Sequence, residues 1–150
     1  TQEEMMFKRC NTLDSRLFQD GCQFEEEVLG RCMVRYSGYM QWAKAAQLVR
    51  NHQPARKTEI LAALEREFER RVGEQVPFYT AVGSSMDFDH GVDGFCEFRG
   101  VVVTIDVTKN PEKTCGKADV VVHPDDLENL PALTARIARV LVSKIERRGR

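Results

Sequence analysis

The stretch GVDGFCEFRGVVVTIDVTKN, residues 91–110, constrains the fold of this chain more than any other segment. It is rich in β-branched and aromatic residues and is interrupted by Arg99-Gly100, which predicts two antiparallel strands joined by a two-residue turn. In such a hairpin each residue before the turn pairs with the residue at the same distance after it. Asp93 and Asp106 are therefore expected to lie directly opposite each other.

The two aspartates share one face of the predicted hairpin, because side chains alternate along a strand. The opposite face is almost wholly apolar and is expected to pack on the core. Its residues are Val92, Cys96, Phe98, Val101, Val103, Ile105 and Val107. The aspartate face is then the one that a partner or solvent can reach. The Cβ atoms of an opposed pair are about 5 Å apart, so two ionised carboxylates there repel each other, and in a partly dry site one would have to hold a proton or share a cation.

The segments around the hairpin predict helices and further strands. We expect one long helix over residues 22–50, or two helices bent at Ser37-Gly38, and another helix over 56–73. Short strands are expected at 76–82 and at 118–123, where apolar and β-branched residues are bounded by turn residues.

The remaining segments complete a mixed α/β pattern. GSSMDFDH, residues 83–90, predicts a polar loop, and residues 130–148 predict an amphipathic helix. The order of elements predicts a single mixed α/β domain over 1–150, with an N-terminal helical layer at 1–54 and an α/β core at 55–150.

Composition limits the classes of protein to which the chain can belong. At 150 residues it is long enough to bury a core without disulfides, and 42% hydrophobic and 30% charged residues are typical of soluble domains. A net charge of -1 excludes a generally basic coat for nucleic acid. No apolar run approaches the roughly 20 residues that span a bilayer. The five cysteines are odd in number and form no C-x-x-C pair, which predicts reduced thiols in a cytoplasmic protein.

The two aspartate motifs resemble the PD-(D/E)xK nuclease superfamily, which has the restriction-endonuclease-like fold. The matching residues are GVD at 91–93 and TID at 104–106. The resemblance covers roughly residues 56–123 and implies a sheet core flanked by helices and a DNA endonuclease activity, with RNA as a further possible substrate. It also implies that Asp93 and Asp106 bind Mg²⁺ or Mn²⁺, which would activate water and stabilise charge on the scissile phosphate.

The chain departs from the family pattern after the second acid. The family normally has a lysine two residues later, where this chain has Thr108. Lys109 follows, and on a regular strand it would reach the catalytic site only if the strand bulges or ends there. The family also has a helix between its third and fourth strands, for which only residues 109–117 are available here.

These departures leave three interpretations open. The first is an active metal-dependent nuclease, and the second is a catalytically inactive nuclease-fold protein that binds nucleic acid or a protein partner. The third is an interaction protein of another class, whose acidic face contacts a basic partner. Oligomeric state, including a homodimer, stays open, and no membrane association is expected.

Other acids are candidates for the same site. The family often adds a carboxylate from the helix before the sheet, and Glu67, at the border of the apolar stripe, is the candidate for a third metal ligand and catalytic acid. An acid in so charged a helix is more often a solvated surface residue, which is the alternative for Glu67. Asp87, Asp89 and His90 precede the hairpin and would extend the metal site, although DFDH is also ordinary loop chemistry.

Charge is unevenly distributed along the chain. Residues 131–150 contain six Lys and Arg residues against one Glu, whereas residues 81–106 contain five acids against one Arg. An acidic pocket beside a basic surface suits a phosphodiesterase, so Arg136, Arg139 and Arg147 are candidate contacts for a nucleic-acid backbone. A solvated terminal helix with favourable charge at its end explains the same residues.

Overall fold

The computed structural model describes residues 15–114 and 116–149, with the side chains of 21–114 and 116–149. Its helices are α1 (Ser15–Leu29), α2 (Trp42–Asn51), α3 (Glu59–Val72), α4 (Ser85–His90) and α5 (Leu130–Arg148), with a 3₁₀ helix at Pro124–Glu128. Its strands are β1 (Phe78–Thr80), β2 (Gly94–Phe98), β3 (Val101–Val107) and β4 (Val120–Val122). The predicted mixed α/β class is confirmed.

The four strands form one mixed sheet in the order β1-β2-β3-β4. The first three are antiparallel neighbours, and β4 runs parallel to β3. The predicted register of the β2–β3 hairpin is confirmed, since Phe98 pairs with Val101. Both turn residues have positive φ, 52° at Arg99 and 81° at Gly100, as a two-residue hairpin turn of the primed type requires.

One face of the sheet packs on a first core cluster. Helices α1, α3 and α5 supply its helical side chains, including Val28, Leu64 and Ile137. The sheet supplies residues that include Phe78 and Ile105. The apolar face predicted for β2 and β3 is thus buried against these helices.

The opposite face packs on a second core cluster, which α2 and α4 cover. Its buried members include Ala46 and Met86 from these helices, with Val92 and Phe95 from the hairpin region. The expectation that the aspartate face is open is therefore wrong, and Val92 belongs to this second cluster. Because α1 and α2 pack on opposite faces of the sheet, they do not form the single helical layer expected for 1–54, of which residues 1–14 lie outside the described part.

Two local predictions are wrong for identifiable reasons. The helix expected over 22–50 ends at Leu29, because Gly30 adopts a left-handed φ of 77°, and helix resumes only at Trp42. The loop expected at 83–90 contains α4. Burial of Met86, which is fully inaccessible, stabilises this helix against the second core cluster despite its polar sequence.

Helices α3 and α5 follow their local signals. The Thr58 hydroxyl accepts a hydrogen bond of 3.1 Å from the Leu61 amide at the start of α3, and Gly73 ends that helix with a φ of 87°. Helix α5 occupies the predicted residues 130–148. In the described part of the chain, no helix combines the length and apolar character needed to cross a membrane.

Candidate metal centre

Three carboxylates converge at the end of the hairpin that is remote from its turn. Glu25 comes from α1 and Asp87 from α4, and Asp93 is the residue immediately before β2. One oxygen of each carboxylate lies within 4.8 Å of the others. We call these three residues and the neighbouring Asp106 the acid group.

Backbone geometry fixes Asp93 within this group. Its amide donates a hydrogen bond of 2.9 Å to the carbonyl of Ile105, the residue that pairs with Gly94 at this end of the hairpin. Its Oδ2 accepts a hydrogen bond of 2.8 Å from the Val107 amide. The Asp106 side chain lies close enough to be one of the groups that raise the pKa of Asp93. Both residues are buried, with exposures of 2% and 7%.

A lysine from the loop between β3 and β4 reaches the acid group. The Nζ of Lys113 lies 2.5 Å from Oδ2 of Asp106. Gly116 of the same loop is also close, because a Cβ at this position would lie 3.9 Å from Asp106 Oδ2. The loop therefore closes over Asp106 and brings an ammonium group to it.

Crowding of the acids changes their affinity for protons. Burial, followed by the charges of Asp87 and Asp106, raises the pKa of Glu25 to about 8. Burial, followed by the charges of Asp87 and Glu25, raises the pKa of Asp93 well above its usual range. The hydrogen bond with Asp106 raises the pKa of Lys113. The acid group therefore has an excess of negative charge, which a bound proton or a cation would relieve.

The donor set suits a hard divalent cation. Two oxygens on one ion can be no farther apart than twice the metal–oxygen distance, which is about 4.2 Å for Mg²⁺ and about 5 Å for Ca²⁺. The three carboxylates meet the limit for Ca²⁺ as they stand and would close slightly around Mg²⁺. Asp93, Asp87 and Glu25 would be direct ligands, with Asp106 beside them.

Three of the predicted site residues lie in other contacts. Glu67 is not in the converging set, and its carboxylate pairs with Arg70 at 3.1 Å. Helices α1 and α4, and not α3, supply the additional acids. The Thr108 hydroxyl accepts a hydrogen bond of 3.1 Å from the Asn110 amide. The Lys109 Nζ lies 5.5 Å from the centre of the Phe24 ring.

The predicted backbone-binding arginines lie on α5, which packs across the first core cluster. Arg136 donates to Asp126 Oδ1 at 2.9 Å and to the Val121 carbonyl at 2.7 Å, so its guanidinium is already engaged within the protein. Arg147 Nε donates to the Ser143 carbonyl at 3.4 Å, and Arg139 lines two surface depressions.

Of the acids and histidine just before the hairpin, only Asp87 joins the converging set. Asp89 Oδ2 accepts a hydrogen bond of 3.2 Å from the Met40 amide, and His90 Nε2 lies 2.8 Å from the Met40 carbonyl. These two residues hold the segment that leads into α2.

Sequence reasoning missed Glu25 and Lys113. Glu25 lies between the buried Phe24 and Val28 on the amphipathic α1, and this position at the border of the apolar stripe was its one sequence signal. Lys113 lies in a loop without periodicity, so nothing in its local sequence distinguishes it from the other lysines.

No family model matches this chain, and neither the curated proteins nor the solved structures contain a significant match to it.

Proposed function

We propose that this protein is a divalent-metal-dependent phosphodiester hydrolase that acts on nucleic acid, with DNA as the leading substrate. The observation that supports this most is the convergence of Glu25, Asp87 and Asp93, from three separate elements, to within 4.8 Å. Carboxylates this close, of which one is buried and two are partly buried, destabilise one another unless a cation or proton compensates them. Such an arrangement is typical of binding sites, where the bound ligand offsets the destabilisation caused by this repulsion.

The motif resemblance adds to this argument. GVD at 91–93 and TID at 104–106 have the positions of the metal-binding acids in the PD-(D/E)xK nucleases. Lys113 would replace the lysine that the pattern expects at position 108, since its ammonium lies 2.5 Å from Asp106 Oδ2. The family assignment stays a proposal together with the activity.

A bound divalent ion would activate water and stabilise the charge that develops on the phosphate. The protein's own groups would orient and hold the site. The Val107 amide fixes Asp93, and Asp106 holds the Lys113 ammonium at the edge of the acid group. From there Lys113 would donate a hydrogen bond to the attacking water or to a phosphate oxygen, and its loop would limit access of bulk water.

Calorimetric titration with Mn²⁺ or Mg²⁺ tests the metal site directly. We expect wild-type protein to bind the ion and to release protons, because ions displace protons from acids with raised pKa values. Titration in two buffers of different ionisation enthalpy measures the number of protons released. Asp93→Asn, which removes one of the three converging carboxylates, should weaken binding strongly, whereas Asp125→Asn, which alters an exposed acid outside the acid group, should leave it unchanged.

Cleavage of single-stranded, duplex and branched DNA is then compared with and without EDTA. We expect cleavage only with the divalent ion, and a fall of several orders of magnitude in Asp106→Asn. Cleavage that persists in EDTA contradicts the proposal. Metal and DNA binding without cleavage would favour a catalytically inactive protein that binds nucleic acid. Failure to bind DNA at low salt would exclude both nucleic-acid functions and leave the interpretation that the protein binds a protein partner.

A further inference from the structure

A groove of about 440 Å³ lies beside the acid group on the second face of the sheet. Its floor includes Val102 and Thr104 of β3, and its walls include Trp42 and His90. Thr104 and Asp106 point to the same face of β3 and are two residues apart, so their Cα atoms are about 7 Å apart along the strand. The groove therefore begins at Thr104, two residues along β3 from Asp106 of the acid group.

The loop between β3 and β4 joins the two places. It brings Lys113 to Asp106 and then brings Lys117 to the groove. The stem of Lys117 lies against Gly91, where a Cβ would meet it at 3.4 Å. A chain molecule bound along this loop would contact the acid group and the groove together.

One wall of the groove is aromatic. The rings of Trp42 and His90 are 5.6 Å apart at an interplanar angle of 83°, and the His90 Nε2 is held at 2.8 Å from the Met40 carbonyl. Tyr39 extends this aromatic surface outside the groove, since its ring lies 5.9 Å from His90 and the residue is 72% exposed. Trp42 is only half-buried, so part of its indole is available to a ligand.

Cations border the same groove. Lys117 is exposed, and it makes no ion pair with the side chains described at 21–114 and 116–149. Lys144 reaches in from α5, where its Nζ lies 2.7 Å from the Val102 carbonyl and 2.5 Å from Asp119 Oδ2. Asp119 in turn accepts from the Thr104 amide at 2.9 Å, so the polar floor is fixed. Among the described side chains that line the groove, Lys117 is therefore placed to contact an anionic ligand.

We infer that this groove takes an unpaired nucleobase from a single-stranded segment whose neighbouring phosphate lies at the acid group. The base would stack on Trp42, and Lys117 would contact a backbone phosphate. This inference rests on the proposed function and adds its substrate class. Stacked aromatic and basic side chains are the features by which proteins hold single strands, whereas bases within a duplex have both faces covered by their neighbours.

The chain contains one tryptophan, so its fluorescence reports on the groove alone. The protein is titrated in Ca²⁺ and, separately, in EDTA with a short single-stranded oligothymidylate. The comparison ligands are a blunt duplex of the same length, an abasic single strand and thymidine 5′-monophosphate. We expect quenching of Trp42 by the single strand at concentrations where the three comparison ligands produce little change.

Variants then separate stacking from charge. Trp42→Ala should weaken single-strand affinity about 5- to 150-fold, measured by fluorescence anisotropy of a labelled oligonucleotide, and Trp42→Phe should restore most of it. Lys117→Ala should reduce the slope of log affinity against log salt by about 0.7. Lys44→Ala, an exposed lysine on α2 that does not line the groove, is the matched control and should change neither quantity.

The outcomes distinguish this inference from the proposed function. Metal-dependent cleavage without quenching, or with affinity unchanged in both Trp42 variants and in Lys117→Ala, would overturn the groove assignment and leave the hydrolase proposal standing. Quenching that depends on Trp42 but occurs without cleavage would support the groove and contradict the catalysis. Equal quenching by the mononucleotide or by the duplex would overturn the assignment to a single-stranded segment.

Discussion

The raised pKa of Glu25 makes the stability of the metal-free protein depend on pH in an unusual direction. The pKa rises from 4.5 to about 8, with burial as the largest cause. Between these values the folded protein holds a proton at Glu25 that the unfolded chain has lost. Stability conferred by this group is therefore present below about pH 4.5 and is lost as the pH rises towards 8. Most proteins gain stability over the acidic part of this range.

The size of the effect follows from the shift. Each pKa unit corresponds to about 1.4 kcal/mol, so the full shift corresponds to about 5 kcal/mol above pH 8. Glu25 is partly accessible to solvent, which screens part of this interaction. We therefore expect Glu25→Gln, which removes the charge at nearly constant shape, to stabilise the metal-free protein by about 2 to 4 kcal/mol at pH 9 and by little at pH 5.

Urea denaturation in EDTA, followed by circular dichroism from pH 5 to pH 9, measures this difference. Glu27→Gln is the matched control, because Glu27 is an exposed acid on the same helix. The difference between Glu25→Gln and wild type should grow with pH, whereas the difference for Glu27→Gln should stay flat. A Glu25→Gln variant that is no more stable than wild type at pH 9 would refute the burial argument. Addition of Ca²⁺ should remove the alkaline loss in wild type and restore much less stability in Glu25→Gln.

Two further predictions test the site and the core. Lys113→Ala should lower the cleavage rate about 10²- to 10⁴-fold with little change in DNA affinity, whereas Lys109→Ala should leave the cleavage rate unchanged. Single-turnover kinetics measure the rate, and fluorescence anisotropy measures the affinity. Similar rate losses in both variants would count against Lys113 as the functional lysine. Phe68→Ala should lower the free energy of unfolding by about 3 to 5 kcal/mol, because Phe68 is fully inaccessible and packs edge-on against Phe78 at 5.4 Å. A loss below about 1 kcal/mol in urea denaturation would contradict that packing.

The sequence correctly predicted the elements whose ends are set by residues at those ends, such as a helix cap or a tight turn. Thr58 and Gly73 delimit α3 because a hydroxyl cap and a left-handed glycine act on the adjacent backbone alone. The β2–β3 register followed from Arg99-Gly100, since a two-residue turn fixes every pair in the hairpin. The register extends from this turn to the pair of Gly94 with Ile105, next to Asp93 and Asp106.

The same reasoning was wrong where tertiary packing, and not the local sequence, decides the structure. Residues 83–90 are polar enough for a loop, and only the burial of Met86 against the second face of the sheet explains their helix. The open aspartate face was likewise an error, because alternation shows that a strand has two faces but not whether helices cover both. The N-terminal helices were assigned to one layer for the same reason.

The sequence by itself determined the mixed α/β class and the hairpin that ends beside Asp93 and Asp106, because these depend on contacts between residues close in the chain or paired through one turn. Only the tertiary structure decided which other groups meet these two aspartates. Glu25 and Asp87 arrive on different helices, and Lys113 arrives on a loop. Their convergence depends on how α1, α4 and that loop pack against the sheet, and no local pattern encodes the distance between elements that meet only when the core is formed.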